Sequence, residues 1–196
     1  ATQITTGPYH ACARLDDGTA RCWGDNALGQ LGAGFGAGSK VPVAVDLGGI
    51  LQIAAGAGWT CARMNSGKAM CWGGNQDGQL GNPSVVEDAS AVPVEVANLT
   101  DVVKLAAGYT QVCAITGTGR VKCWGRGDSG ELGDGRTGLY GLPATVLLAP
   151  AAGVTATTLT SSPGASFYGQ PVTLTATVFN GNAPTGTVAF SANGAP

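Results

Sequence analysis

The sequence predicts an all-β repeat array, three blades of a propeller or solenoid followed by the first strands of a second β domain. Three observations predict it. A thirteen-residue sentence recurs: Cys12–Gly24 reads CARLDDGTARCWG, Cys61–Gly73 reads CARMNSGKAMCWG and Cys113–Gly125 reads CAITGTGRVKCWG. Its copies start at Cys12, Cys61 and Cys113, a period near 50 residues that belongs to propeller and solenoid arrays. From Val154 the text changes to Thr-rich alternation, in which Val172, Leu174, Ala176 and Val178 fall on one face between threonines.

Each unit reads as four short strands. Cys12–Leu15 and Thr19–Trp23 flank Asp16-Asp17-Gly18, a three-residue hairpin loop with glycine at the left-handed position; Asn65-Ser66-Gly67 and Gly117-Thr118-Gly119 repeat it. Pairing around that loop sets Leu15 against Thr19 and Cys12 against Cys22. One further strand leads into each motif (Leu51–Ala55, Val102–Ala107), and another follows it at a proline-led run (Val41–Val45, Val92–Val96, Pro143–Leu148). Four such strands make one propeller blade. The match outlasts the cysteines: Gly7, Gly56 and Gly108 precede them at constant spacing, and Gly29–Gly32, Gly78–Gly81 and Gly130–Gly133 follow each Trp-Gly. The units therefore run over 1–49, 50–100 and 101–148, with a linker at 149–153 and an incomplete domain over 154–196.

Composition narrows the function. Hydrophobic content of 44% without charge runs suits folded material, and 33 glycines with only 11% charged residues suit tight turns. A net charge of −2 and ten scattered Lys and Arg argue against nucleic acid as a partner. No stretch reaches eighteen apolar residues, and the best, Pro143–Val154, holds a second proline, so no membrane span is expected in this segment. No signal peptide is visible, but the chain opens on Ala1, so an upstream segment is expected to have been removed or left out.

Six cysteines allow fifteen disulfide connectivities, and three identical Cys-x9-Cys pairs favour one: Cys12–Cys22, Cys61–Cys71 and Cys113–Cys123. Buried free thiols and metal ligation are the alternatives. With a single histidine and cysteines facing their own hairpin partners, metal is the weakest reading, and no cofactor is expected. Each bridge closes a short loop and contributes roughly 3 kcal/mol by loop entropy. Oxidised pairs imply an extracellular or cell-surface setting.

These residues resemble the regulator of chromosome condensation repeat, on Gly7, His10, Ala13, Gly18, Trp23, Gly24, Asn26, Gly29, Gln30, Leu31 and Gly32. In the second copy Trp59 takes the place of His10 while Gly56, Trp72, Asn75, Gly78 and Gln79 hold; in the third Gln111, Gly127 and Glu131 depart from it. Kelch repeats share the period, but Gly48-Gly49 and Gly73-Gly74 do not fall at equivalent phases. The resemblance implies a seven-bladed propeller. Three units cannot close such a ring, so a partial, open propeller is expected, either a fragment or one of several chains completing the ring. The text after Val154 resembles bacterial immunoglobulin-like repeats of large surface proteins, with Tyr168-Gly169-Gln170 before its second strand and Pro184–Thr187 before its third. About 43 residues remain there, against roughly 100 for such a sandwich.

No catalytic constellation appears. His10 stands without a recurring Ser or Cys partner and reads as structural. Arg126-Gly127-Asp128-Ser129 looks like an adhesion tripeptide but fills variable slots of the repeat, and the turns at Asp16-Asp17-Gly18 and Asp134-Gly135 lack the ligand spacing of a calcium loop. Trp23, Trp72 and Trp124 recur with the fold and read as core. Trp59 breaks that register and is a candidate partner-binding residue. The segments that vary most, Ala33–Lys40, Asn82–Ala91 and Asp134–Gly141, carry the other candidates: Phe35, Glu87, Asp88, Arg136 and Tyr140. The expected function is a non-enzymatic scaffold for protein or glycan contact in a bacterial secreted or surface protein. A secreted propeller-type protein inhibitor is the alternative. A nucleotide exchange factor for a small GTPase, which the resemblance also implies, fits poorly with three disulfides.

Overall fold

A computed structural model describes residues 1–148, 156–162, 172–179 and 184–192. The chain divides into two compact units, Ala1–Val146 and Leu147–Pro196. The first holds three four-stranded antiparallel sheets: β1 (Gln3–Thr6), β2 (His10–Arg14), β3 (Ala20–Gly24) and β4 (Ser39–Ala44); β5 (Ile50–Ala55), β6 (Trp59–Met64), β7 (Ala69–Gly74) and β8 (Ala89–Glu95); β9 (Val102–Ala107), β10 (Gln111–Thr116), β11 (Val121–Arg126) and β12 (Leu139–Thr145). Strand order within each sheet follows the chain, so every sheet is an up-and-down meander.

The hairpin is set locally. Gly18, Gly67 and Gly119 take φ of 79°, 78° and 77°, a conformation that costs a side chain but not glycine. Leu15 N donates to Thr19 O at 2.9 Å, and Met64–Lys68 and Thr116–Arg120 repeat the bond at 2.9 and 3.0 Å. Hydrogen-bonded pairs then recur at every second residue, so Cys12 and Cys22 form a non-hydrogen-bonded pair, the closer of the two kinds. Cys61 opposes Cys71 and Cys113 opposes Cys123 in the same register. All three pairs are disulfides, with Cα atoms 4.1 Å apart in each.

The fourth strands lie earlier than the proline-led runs suggest. The third shows it best: β12 spans Leu139–Thr145, not Pro143–Leu148, and contains Pro143. Pro42, Pro93 and Pro143 all sit in the outermost strand of their sheet, where a missing N–H leaves no ladder bond unmade. Each strand shifts register beside its proline, so that Cys22, Cys71 and Cys123 oppose the residue just after it, Val43, Val94 and Ala144.

The core lies between sheets. Leu31, Val45, Ile50, Ile53, Met64 and Trp72 form one apolar cluster, and Trp59, Leu80, Val96, Leu99, Leu105 and Trp124 form the next. Directed hydrogen bonds hold the joints. Gln3 Nε2 donates to Ile53 O at 2.8 Å while its Oε1 accepts from Ile53 N at 3.0 Å. Gln52 does the same to Leu105, at 2.7 and 2.9 Å. The equivalent residue of the third sheet is Lys104, which is exposed. Ile53 and Leu105 are 1% and 3% exposed, whereas Ile4, at their position in the first sheet, is 67% exposed.

In the second unit β13 (Ala156–Ser162), β14 (Val172–Phe179) and β15 (Pro184–Ala192) form an antiparallel sheet in that order. Pro184–Thr187 already lies within β15 rather than ahead of it, because pairing with β14 begins at Pro184 opposite Phe179. The linker at 149–153 and Tyr168-Gly169-Gln170 lie outside the described residues. Among the described residues no helix is long and apolar enough to cross a membrane.

Candidate interaction face

The meander gives each sheet two ends. One carries the tight hairpins between second and third strands. The other gathers the β1–β2, β5–β6 and β9–β10 turns and the long loops 25–38, 75–88 and 127–138, so all three variable segments reach one end of the unit.

Each loop is anchored by the residues after Trp-Gly. Asn26 Oδ1 accepts from Leu31 N at 3.1 Å and Asn75 Oδ1 from Leu80 N at 3.2 Å. Gln30 Oε1 accepts from Leu28 N, Gln79 Oε1 from Asp77 N and Glu131 Oε2 from Ser129 N, at 2.9, 3.0 and 2.8 Å. The glutamines also donate, Gln30 Nε2 to Asp25 Oδ2 at 2.8 Å and Gln79 Nε2 to Asp77 Oδ2 at 3.2 Å; the third repeat has Arg126 and Ser129 at those positions, so Glu131 keeps the acceptor without needing the donor. The loop's main chain then clasps the following sheet: Trp72 Nε1 donates to Gln30 O at 3.0 Å, and Trp124 Nε1 to Gln79 O at 2.9 Å.

His10 joins the same clasp. Thr60 Oγ1 donates to Gln30 O at 2.9 Å, so it accepts from His10 Nε2, 2.7 Å away. That assigns the Nε2–H tautomer and leaves Nδ1 as a buried lone pair with no partner. Protonation would put an N–H where nothing accepts it. Burial accordingly holds the imidazole down at about 4, against the opposing pull of the Asp25 carboxylate.

The loop end is acidic. It bears Asp25 from the first repeat, Asp77, Glu87 and Asp88 from the second, and Asp128, Glu131 and Asp134 from the third, against Lys40, Arg126 and Arg136. Arg126 is paired with Asp128 at 2.8 Å and Arg136 with Asp134 at 2.6 Å. The other carboxylates of this end make no ion pair among the described residues. The hairpin end and the strand bodies hold the remaining five acids and seven bases, so the unit is charge-polarised along its strands.

Sequence profiles described as the regulator of chromosome condensation (RCC1) repeat match residues 1–30, 50–79 and 102–131, and residues 66–115, together over half of the chain. The chain belongs to the RCC1 repeat family. Among curated proteins it is 31% identical over 146 residues to the human and mouse E3 ubiquitin-protein ligase HERC2, a match that takes in 72% of this chain and 3% of HERC2. Among solved structures it is similar to human WBSCR16 (TM-score 0.66, 23% identity) and to yeast RCC1 (Prp20) in its complex with Kap60 (TM-score 0.67, 22% identity). Each of these covers 90% of this chain, which spans 45% and 43% of theirs. At that identity the likeness establishes the fold, an RCC1-type β-propeller scaffold.

Within the RCC1 repeats the sequence-derived candidates divide. Phe35 stands 67% exposed on the first loop. Glu87 and Asp88 are exposed on the second, their backbone carbonyls fixed by Asn75. Arg136 stacks 4.2 Å above the Tyr140 ring while bonding Asp134, so Asp134, Arg136 and Tyr140 form a closed local cluster on the third. Although desolvation raises it, the backbone N–H and guanidinium of Arg136 hold the Asp134 carboxyl below its usual range. Arg126 and Asp128 of the adhesion-like tripeptide are likewise bonded to each other.

Trp59 is not a surface platform. It is 1% exposed, packed between the second and third sheets, and its Nε1 donates to Tyr109 O at 3.2 Å. It occupies the position of His10, a position that faces the next sheet, so an aromatic there is structural.

Sequence reasoning missed a cleft above that indole, of about 230 Å³, lined by Tyr9, Leu28, Gly58, Gly74, Asp77 and Tyr109 among others. The second repeat carries glycine at 58 and 74, where the first has Tyr9 and Asp25 and the third Thr110 and Arg126. A Cβ on either glycine would come within 2.9 or 3.0 Å of the Leu28 side chain. Tyr9 and Tyr109, 59% and 61% exposed, flank the gap, and the neighbouring Tyr9 hydroxyl raises the Tyr109 hydroxyl above its usual value. The paired glycines of the middle copy were the available signal.

Proposed function

We propose that this chain is a non-enzymatic RCC1-repeat scaffold from a bacterial secreted or cell-surface modular protein, and that the loop end of its propeller sheets binds a protein partner. The observation that carries this reading is the gathering of all three variable loops at one charge-polarised end of a cross-braced frame. Rigid frames that present variable loops are the usual architecture of recognition. Three fully paired cysteine sets favour an oxidising setting over a cytosolic one. The Thr-rich strands β13–β15 favour an immunoglobulin-like neighbour domain and hence a modular surface protein.

Photo-crosslinking tests it. p-Benzoylphenylalanine at Phe35 should trap a protein partner that the same group at Thr118, on the hairpin end, does not; equal trapping from both ends, or from neither, overturns the reading. Yeast RCC1 has been solved with Kap60, and Prp20p has been studied for binding to Gsp1p and histones. An exchange-factor role would show instead as accelerated nucleotide release from a small GTPase with all six thiols reduced, and a glycan role as saturable oligosaccharide binding at the loop end.

A further inference from the structure

The Tyr9–Tyr109 cleft has a counterpart elsewhere in the molecule. On the third loop the chain holds one of its own arginines, Arg136, with its guanidinium 4.2 Å over the Tyr140 ring and its Nε and Nη2 on the Asp134 carboxylate at 2.9 and 2.6 Å. An aromatic face and a carboxylate together satisfy a planar cation better than either alone. The cleft offers the same two groups with no cation between them. Its walls are the exposed phenol rings of Tyr9 and Tyr109, and Asp77 stands on its rim.

Asp77 is held for this role. Its Oδ2 accepts from Gln79 Nε2 at 3.2 Å, and Gln79 is itself buried and fixed by accepting from Asp77 N. Asp77 Oδ1 accepts no hydrogen bond among the described residues. The repeat pattern indicates what is missing. At the position of Gly74 the third repeat carries Arg126, whose guanidinium bonds Asp128 at 2.8 Å. In the second repeat Gly74 replaces that base, Gln76 stands at the position of Asp128, and the acid is carried one residue later, at Asp77, where the third repeat has Ser129. The surrounding face adds a net negative field, since both of its arginines are already engaged and only Lys40 stands against Asp25, Glu87, Asp88 and Glu131.

We propose that the cleft between Tyr9 and Tyr109 receives an arginine side chain of a protein partner, stacked on the phenol rings and bonded to Asp77. Arginine fits better than lysine because its planar fork can stack and bond at once, whereas an ammonium does one or the other. The proposal rests on the loop end being a protein-binding face and deepens it by naming one anchor.

The test uses the whole chain and a blocked peptide, Gly-Gly-Arg-Gly-Gly, titrated by NMR and calorimetry beside the same peptide with citrulline, a neutral isostere of arginine. The arginine peptide should bind with a dissociation constant on the order of 1 mM, and citrulline should bind at least about tenfold more weakly. Tyr9→Ala with Tyr109→Ala should weaken arginine binding about tenfold, whereas Tyr9→Phe with Tyr109→Phe should retain it, which separates ring stacking from loss of fold. Asp77→Asn should weaken binding several-fold and flatten its salt dependence, and Gly74→Arg should abolish it by filling the cleft from within. Asp17→Asn, at the hairpin end, should change nothing. Equal binding of citrulline and arginine, an unaffected Asp77→Asn, or a cleft that takes chitooligosaccharide and not the peptide overturns the proposal. Crosslinking from Phe35 that survives Gly74→Arg would refute this anchor while leaving the protein-binding face standing; peptide binding without any crosslinked partner would do the reverse.

Discussion

The indole of Trp72 reaches back 42 residues to donate to the main-chain carbonyl of Gln30 at 3.0 Å, and the same carbonyl takes the Thr60 hydroxyl at 2.9 Å. One loop oxygen thus gathers a strand and a core side chain of the next sheet, in a site where Trp72 is fully buried. Trp124 and Gln79 repeat the contact. Burying that indole without its acceptor would leave a polar group desolvated and unpaired, which is why the loop must keep its shape.

Trp72→Phe removes the donor and part of the volume, and should cost about 2–3 kcal/mol. Trp23→Phe, at the same position of the first sheet but half-buried and without a hydrogen bond among the described residues, should cost less than about 1 kcal/mol. Urea unfolding of both variants checks the difference; equal losses would mean that the carbonyl contact contributes nothing.

The Gln52 clamp should be open to substitution by what the third repeat already carries. Gln52→Lys loses the acceptor for Leu105 N and should cost about 1–2 kcal/mol, with faster hydrogen exchange at the Leu105 amide. Lys104→Gln, at the equivalent exposed site, should leave stability within about 0.5 kcal/mol.

The unfolded chain protonates His10 near 6.5 and the folded chain only near 4. Between these values the unfolded state binds more protons, so this contribution is complete above pH 6.5 and falls away as pH drops toward 4, by up to about 3 kcal/mol. His10→Gln, which installs the residue found at 111, should remove that part of the slope. Denaturant midpoints at pH 4.5, 5.5 and 7 would show it.

The three disulfides should differ in access to reductant. Cys12, Cys22, Cys61 and Cys71 are fully buried, whereas Cys113 is only half-buried. Under native conditions dithiothreitol should open Cys113–Cys123 first and the other two only as the sheets unfold. Timed alkylation and peptide mapping would follow the order; simultaneous loss of all three would argue for global opening alone.

What the sequence made legible was local. A three-residue turn ending in Gly18 fixes which residues face each other within five positions on either side, so the cysteine pairing could be read without any knowledge of the rest. The contacts that join sheets could not. Gln3 meets Ile53 across 50 residues through a side chain that looks like ordinary surface polarity in a short strand. Trp59 reads from the sequence as a candidate partner-binding residue because it breaks the recurrent tryptophan register and aromatics favour interfaces, whereas it is buried and, like His10, points at the next sheet. The cleft is made by the side chains that Gly58 and Gly74 lack, and an omission is visible only once the neighbouring turns are seen to converge.

The joints between sheets also have a direction. Each sheet hands forward a glutamine fork and a loop carbonyl, and takes from behind with a strand backbone and an indole. In the first sheet the receiving positions are Ile4 and Trp23, and in the third the forward-facing fork has become the ammonium of Lys104. Two copies meeting by a two-fold axis would set receiving side against receiving side or fork against fork and could form none of these bonds. Only head-to-tail stacking, or further sheets running in the same sense, satisfies them, so the polarity of the repeat forbids symmetric pairing through these faces.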